Sequence, residues 1–167
     1  LELSNSGNPA KIIKNIAEDA TVGDFFAGNG LLAAMASAFG IKMIASDLTR
    51  SSNPFCKVLK SDAINAVKKH PNISNFVISW PPQNDSIGEK FLKEILSRQE
   101  SCRPVTIFYF GTPKGGCCGT PGFFDLLDTH FNVIASVDRS ETETWSEIMY
   151  DDDGNPIFDG FVVYQQK

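Results

Sequence analysis

Residues 24 to 30 read DFFAGNG, an acid followed by two phenylalanines and two glycines in seven positions. A simple turn needs one glycine and no carboxylate. A loop that presses its backbone against a nucleotide-like ligand at the end of a strand uses all of them. Gly28 and Gly30 remove side chains where the backbone must come close, and Asp24 supplies a carboxylate beside them. Two further acids close short apolar stretches: Asp47 follows KMIAS, and Asp62 follows the stretch around Lys57 to Lys60. Asp47 is placed to accept hydrogen bonds from a ribose diol, and Asp62 to reach an adenine amino group. Each also has a plain structural use, Asp47 as a strand-end turn residue and Asp62 as the cap of the helix after it.

Two ligand classes suit such a loop. The spacing GxGxxG/A of a dinucleotide site is matched by Gly28-Asn29-Gly30-Leu31-Leu32-Ala33. A pyrophosphate, however, favours a helix N-terminus without a nearby carboxylate, and Asp24 would repel it. S-adenosylmethionine carries an ammonium and a sulfonium and no phosphate, so an acid at this place favours it.

These residues need strands and helices to hold them, and the sequence alternates between the two. Asn8-Pro9 reads as an N-cap with proline in the first turn, ahead of Ile12, Ile13, Ile16 and Ala17 on one helical face. Residues 21–26 form a strand leading into the glycine loop. LLAAMASAF, 31–39, is almost wholly apolar and is expected to be a buried helix stopped by Gly40. A strand over 42–46 ends at Asp47, a short one around 57–60 precedes the helical stretch AINAVKK, and 75–80 (NFVISW) forms the fourth. Ser86 with Glu89 predicts a capping box for a helix that turns Ile87, Phe91, Leu92, Ile95 and Leu96 inward. PVTIFYFG, 104–111, is continuously apolar, as a central parallel strand would be. A glycine-rich loop, 111–119, precedes Thr120-Pro121 and a short helix with Phe123, Phe124, Leu126 and Leu127. Three β-type segments follow, FNVIASVD, WSEIMY and IFDGFVVYQ, the last two joined by the hairpin signal DDDGNP. The expected fold class is α/β: about seven strands, mainly parallel, with an antiparallel C-terminal edge and helices on both faces, in one domain over 1–167.

Composition narrows the function classes. Apolar residues make up 42 % and charged ones 21 %, the balance of a soluble globular chain, and no apolar run is long enough to span a bilayer. The net charge is −5, and the cations are scattered, with Lys57, Lys60, Lys68 and Lys69 the nearest thing to a group. Gripping nucleic acid unaided needs clustered Lys and Arg. Cys56, Cys102, Cys117 and Cys118 form no CxxC, and neither His70 nor His130 stands beside a pair. Reduced thiols, no metal, and an intracellular, cytoplasmic location are expected. The chain opens Leu-Glu without Met, so it is expected to be a piece of a longer protein whose recognition domain or partner chain lies elsewhere.

DFFAGNG resembles the first motif of class I S-adenosylmethionine-dependent methyltransferases with a Rossmann-like fold. It is especially similar to the D-P-F-A-G-S-G form of DNA and RNA adenine-N6 amino-methyltransferases. The other signposts come in that family's order: NPAKIIKNI resembles the helix-entry segment, IASDL the ribose acid, KSDA the adenine segment and SWPP the catalytic motif after the fourth strand. The resemblance spans roughly residues 8–111. It implies that Asp24, Ala27, Gly28 and Gly30 surround the methionine part of the cofactor, with Asn8, Phe25 and Asn29 in the same site. It implies Asp47 and Leu48 at the ribose and adenine, Asp62 and Ala63 at the adenine, and Ser79, Trp80, Pro81 and Pro82 as the catalytic loop. The acceptor it implies is an amino or amide nitrogen of a nucleic acid, a protein or a small molecule.

The catalytic motif departs from the family pattern. There, an Asp, Asn or Ser accepts the protons of a conjugated nitrogen and aims its lone pair, and an aromatic follows the two prolines. Here Trp80 stands at the acceptor's place, Ser79 lies one position earlier, and Gln83 replaces the aromatic. Indole only donates, and Ser79 is expected to face the opposite way along the strand. The Trp80 carbonyl is one acceptor, with Gln83, Asn84 or Asp85 as sources of a second. Pro81 is expected to hold Trp80 extended. Trp80 either walls the site and stacks on a planar substrate or packs beneath the loop, while Trp145, Phe123, Phe124 and the loop 111–119 are candidate substrate contacts. Two other readings stay open: a relative that binds cofactor or partner without transfer, and an NAD-linked oxidoreductase, for which no Tyr-Lys or His-based proton relay is evident.

Overall fold

The computed structural model describes residues 8–49, 51–98, 104–137, 149–150, 156–157 and 160–167. Helix α1, Pro9–Ala17, opens under an Asn8 side chain that accepts the N–H of Ala10 at 3.0 Å. Strand β1, Val22–Asp24, is followed by α2, Leu31–Ala38, then β2, Met43–Asp47, and β3, Val58–Lys60. Helix α3 (Ala63–Lys69), β4 (Asn75–Ser79), α4 (Ile87–Leu96) and β5 (Thr106–Gly111) continue the alternation. Helix α5, Pro121–His130, leads directly into β6, Phe131–Val137. A two-stranded ribbon pairs β7, Met149–Tyr150, with β8, Pro156–Ile157, and β9, Gly160–Gln166, comes last.

The seven-stranded sheet has the order β3-β2-β1-β4-β5-β9-β6. Its first five strands are parallel, and β9 runs antiparallel between β5 and β6. The mixed sheet with antiparallel pairing at its C-terminal side is the expected one. The reversed strand, however, lies one place in from the edge. The segment IFDGFVVYQ is also divided: Ile157 pairs back in the ribbon, while Gly160 onward joins the sheet. The turn DDDGNP falls largely on 151–155, and Trp145 and Cys102 likewise lie outside the described residues.

Side chains alternate across the sheet with the two-residue period of a strand. Phe76, Ile78, Ile107 and Tyr109 face one core with Phe91, Leu92, Phe123 and Leu127 of α4 and α5. Val77, Phe108 and Val163 face the other with Ile12 and Ile13 of α1 and Ala36 of α2. The strands β4 and β5 are therefore covered on both faces, which is why their sequences read as unbroken apolar runs.

Two expectations about helices are corrected. Only Ala33 and Ala36 of α2 are buried, and Leu31 and the following Phe39 are exposed. The small residues make a narrow contact face, and an apolar composition does not supply a second surface to bury the rest. Gly40, at φ +69°, does end the helix. The Ser86–Glu89 capping box does not form. Asp85 accepts the N–H of Ile87 at 2.9 Å instead, and Glu89 accepts the hydroxyl of Thr120 from α5.

Candidate functional site

The sheet order reverses between β1 and β4, one strand leading away to β2 and the other to β5. In open α/β sheets this switch point opens a crevice beyond the carboxyl ends of the strands. The two segments that emerge there are DFFAGNG and SWPP.

Strand β1 ends at Asp24, and the chain turns at once because Phe25 is drawn into the core. Its ring lies over Gly23, where a Cβ would come within 2.9 Å of it, and packs against His70, Phe76 and Phe91. The predicted strand 21–26 is therefore shorter, and the Phe25 side chain anchors the loop from below. Its ring is buried in the core, so the role implied for Phe25 falls to its backbone. The Ala27 N–H reaches the Ser46 carbonyl at 3.1 Å, and the Gly30 N–H reaches the Ala27 carbonyl at 2.7 Å, closing the turn. Gly28 and Gly30 have φ of +54° and +79°, a region that L side chains enter at a cost. A Cβ on Gly28 would meet nothing within 4 Å, whereas one on Gly30 would lie 2.7 Å from Cys56 Sγ and Val58 Cγ2. Gly28 is thus the residue whose bareness leaves backbone open to a ligand, and Gly30 is bare because the fold packs against it. Asn29 accepts the N–H of Phe55 through its carbonyl at 2.8 Å and that of Leu31 through Oδ1 at 3.3 Å.

Asp24 is fully buried, and neither carboxylate oxygen has a hydrogen-bond partner; the nearby Ser46 hydroxyl is also buried and unpartnered. Burial raises the Asp24 pKa from 3.8 to about 7, with the Asp47 charge adding to the rise. The Phe26 amide opposes it from a position short of hydrogen-bond geometry. A buried acid with empty lone pairs under a glycine loop suits a ligand that brings a positive, hydrogen-bond-donating group.

Asp47 ends β2 half-buried and is already engaged. One oxygen accepts the Gly28 N–H at 2.8 Å and the other the Thr49 N–H at 2.8 Å. Leu48 beside it is 68 % exposed, open to contact from a ligand. Of the two readings open for Asp62, capping is the one the fold uses. Oδ1 accepts the Asn65 N–H at 2.9 Å, and that bond holds the carboxyl below the usual carboxylate range. Ala63 behind it is buried in the core.

The SWPP segment differs most from expectation. Strand β4 stops at Ser79, and Trp80 takes φ +44°, so Pro81 does not hold it extended. A bulky residue in this region carries strain of roughly 1–3 kcal/mol, which the surroundings must offset. Trp80 donates its N–H to the Phe110 carbonyl at 2.8 Å, extending the register in which Ser79 faces Phe110. Pro81 is buried and its carbonyl accepts the Gly119 N–H at 2.7 Å, Pro82 pairs with Cys118, and Gln83 Nε2 donates to the Gly116 carbonyl at 3.1 Å. The loop 111–119 is thereby fastened along Pro81, Pro82 and Gln83. Thr112 organises its base: it is fully buried, its carbonyl takes the Tyr109 hydroxyl at 2.7 Å, and its Oγ1 takes the Cys118 N–H at 3.0 Å. Sequence reasoning passed over Thr112, whose only signal is its place between the end of a strand and a proline.

Several candidates are drawn elsewhere. Gln83 and Asp85 spend their side chains on Gly116 and on the α4 terminus. Phe123 and Phe124 are buried, edge-on to each other at 5.2 Å, and pack in the core against Tyr109. Among the described residues, no helix is long and apolar enough to cross a membrane, and no three His, Cys, Asp or Glu side chains gather as a metal site would need.

No family model matches the sequence, and no curated protein matches it. The fold has many solved counterparts. The chain is similar over 95 % of its length, and 76 % of the other's, to the Burkholderia thailandensis 1,6-didemethyltoxoflavin-N1-methyltransferase, whose structure holds 1,6-didemethyltoxoflavin and S-adenosylhomocysteine. That likeness has a TM-score of 0.61 at 12 % identity. A Methanosarcina mazei SAM-dependent methyltransferase is similar over 99 % of both chains, with a TM-score of 0.61 and 11 % identity. One from Archaeoglobus fulgidus is similar over 94 % of both, with a TM-score of 0.60 and 15 % identity. The fold of this chain is the Rossmann-like fold that these methyltransferases share.

Proposed function

We propose that the protein is an S-adenosylmethionine-dependent methyltransferase whose acceptor is an amino or amide nitrogen. One observation carries the reading. A fully buried carboxylate, Asp24, lies with both oxygens unpartnered beneath the open backbone of Gly28, in a fold shared with methyltransferases. The ammonium of the cofactor's methionine part is the group that would use that carboxylate, and a dinucleotide pyrophosphate would be repelled by it. When bound, S-adenosylmethionine supplies a methyl carbon made electrophilic by its sulfonium.

The chain's own residues then have separate tasks. Asp24, Ala27, Gly28 and Gly30 receive the methionine part, with Asn8 at the head of α1 and Asn29 at the loop tip flanking it. Asp47 offers its remaining lone pairs to the ribose, Leu48 covers one face of the adenine, and Asp62 and Ala63 bound its far end. Ser79, Trp80, Pro81 and Pro82 form the wall against which the acceptor is positioned, and positioning supplies much of the rate in a displacement at an activated carbon. The motif order supports kinship with adenine-N6 amino-methyltransferases, although Trp80 in place of an acceptor side chain removes the residue by which they hold adenine N6. One domain spanning 1–167, with reduced thiols and a cytoplasmic setting, completes the reading.

One observation favours a second reading, a domain that binds cofactor without transfer. The Gln83 and Asp85 side chains, two of the sources of a second proton acceptor, are already engaged by the Gly116 carbonyl and the Ile87 N–H. The first test is thermal unfolding with S-adenosylmethionine, S-adenosylhomocysteine and NAD. A ligand at about a hundred times its Kd adds about 2.7 kcal/mol, a rise of several degrees. A rise with the two sulfur compounds and none with NAD is expected. A rise with NAD alone, or none at all, would sink the cofactor assignment.

A further inference from the structure

We propose that a cavity at the N-terminal ends of β1, β2 and β4 is a second ligand site, and that it takes a small zwitterion, a free amino acid with an apolar side chain. The cavity has a volume of about 460 Å³, and Asp19, Lys69 and His70 are among the residues that line it. Small-molecule sites run from roughly 300 to 1,000 Å³. Thr21 and Ser74, also in its lining, stand directly before β1 and β4, and Lys69 ends α3. The cavity therefore lies at the opposite ends of the strands from DFFAGNG and SWPP. It stands whether or not the chain transfers a methyl group.

One wall of the cavity is fixed before any ligand arrives. The His70 ring stacks on the buried ring of Phe25, 5.9 Å between centroids and 30° between planes. The His70 carbonyl accepts the Ile73 N–H at 3.2 Å. Arg98 donates to the carbonyls of Pro71 at 3.4 Å and Ile73 at 3.2 Å, and also to that of Val67. The segment between α3 and β4 is thus held by the core on one side and by a guanidinium on the other. A ligand meeting such a wall loses little to ordering it.

Charge selects the ligand class. Asp19 and Lys69 have opposite signs and line one cavity, yet neither forms an ion pair, with the other or with any described residue. Thr21, Asn72 and Ser74 likewise make no side-chain hydrogen bond among the described residues. A plain anion would meet the Asp19 carboxylate, and a plain cation the Lys69 ammonium. A molecule that carries both charges satisfies both groups, with the hydroxyls and the Asn72 amide free to donate or accept. Ile44, half-buried, and Ile73, buried, give an apolar surface for its side chain.

The test follows the imidazole C–H signals of the chain by NMR while L-leucine is added. The chain has two histidines, and His130, at the end of α5 and outside the cavity lining, is the internal control. A saturable shift at His70 and none at His130 is expected. Two truncated probes, 3-methylbutan-1-amine without the carboxylate and 4-methylpentanoate without the ammonium, should each bind about tenfold more weakly than leucine. Asp19→Ala and Lys69→Ala should each weaken leucine by about tenfold in calorimetry, and, as both side chains are exposed, should melt with the parent. The proposal is overturned if His70 does not shift saturably or if His130 shifts alongside it. It is equally overturned if either truncated probe binds as tightly as leucine, or if either variant keeps the parent affinity.

Discussion

The carboxylate of Asp47 accepts the Gly28 N–H at 2.8 Å, so the end of β2 is tied directly to the open glycine of the loop after β1. The same side chain reaches forward to the Thr49 N–H. It holds two loops in register from a half-buried position. Replacing Asp47 by Ala removes both bonds from a half-exposed site, at a cost of about 1 kcal/mol in unfolding experiments. Calorimetry should show S-adenosylhomocysteine affinity falling by about tenfold or more, as a ribose contact to a charged group would require. Unchanged affinity would make Asp47 a loop staple and nothing else.

Asp24 links ligand binding to pH. Its carboxyl titrates near 7 in the folded chain and near 3.8 when unfolded. Below both values it is neutral in either state and costs nothing. As pH rises, the unfolded chain releases its proton first, and folding weakens until about pH 7, by an upper bound of roughly 4 kcal/mol. Asp24→Asn should therefore melt above the parent at about pH 8.5 and level with it at about pH 4. A cationic ligand needs the ionised form, so parent affinity should rise with pH up to about 7 and then level off. The Asn variant should bind weakly at every pH. Equal melting of the two proteins across the range would contradict the buried, unpartnered carboxylate.

The two loop glycines should separate binding from folding. Gly28→Ala meets open space, so its stability cost is the left-handed conformation alone, roughly 1–2 kcal/mol, and its main effect should be on cofactor affinity. Gly30→Ala adds a methyl group against Cys56 and Val58 and should lose roughly a further 1–3 kcal/mol. Urea unfolding and calorimetry on the same pair of variants check the ranking.

Glu89 and Thr120 join α4 to α5 in place of the expected capping box. Thr120 is the N-cap of α5, and its hydroxyl both accepts the Phe123 N–H and donates to Glu89. Glu89→Ala should cost about 1–2 kcal/mol in chemical denaturation. The double variant with Thr120→Val should lose less than the sum of the single ones, because the two side chains share a bond. Strict additivity would argue against that bond.

The parallel strands, the glycine loop and the acids at the strand ends were legible because each follows from local chemistry. Burial on both faces writes β4 and β5 as apolar runs, and positive φ at Gly28 and Gly30 writes glycine. What escaped depends on partners distant in sequence. Glu89 was read against Ser86, three residues before it, but bonds Thr120, thirty-one after it. Phe25, Phe123 and Phe124 looked like site aromatics and are core, since composition does not tell which way a ring turns. Trp80 was expected in a strand, and its conformation is set by the Phe110 carbonyl across the sheet. Asp62 was legible as a helix cap, and its geometry shows the cap.

The position of β9 bears on how the protein is made. It separates β5 from β6, yet it follows both of them along the chain. While the ribosome is still adding residues 138–159, β5 therefore presents the six residues Thr106–Gly111 with no neighbour on that side, and all but Phe110 are buried once the sheet is complete. An apolar strand waiting for its partner is an invitation to pair with another nascent chain. Folding in the cell therefore depends on how soon a seven-residue segment arrives to fill the gap.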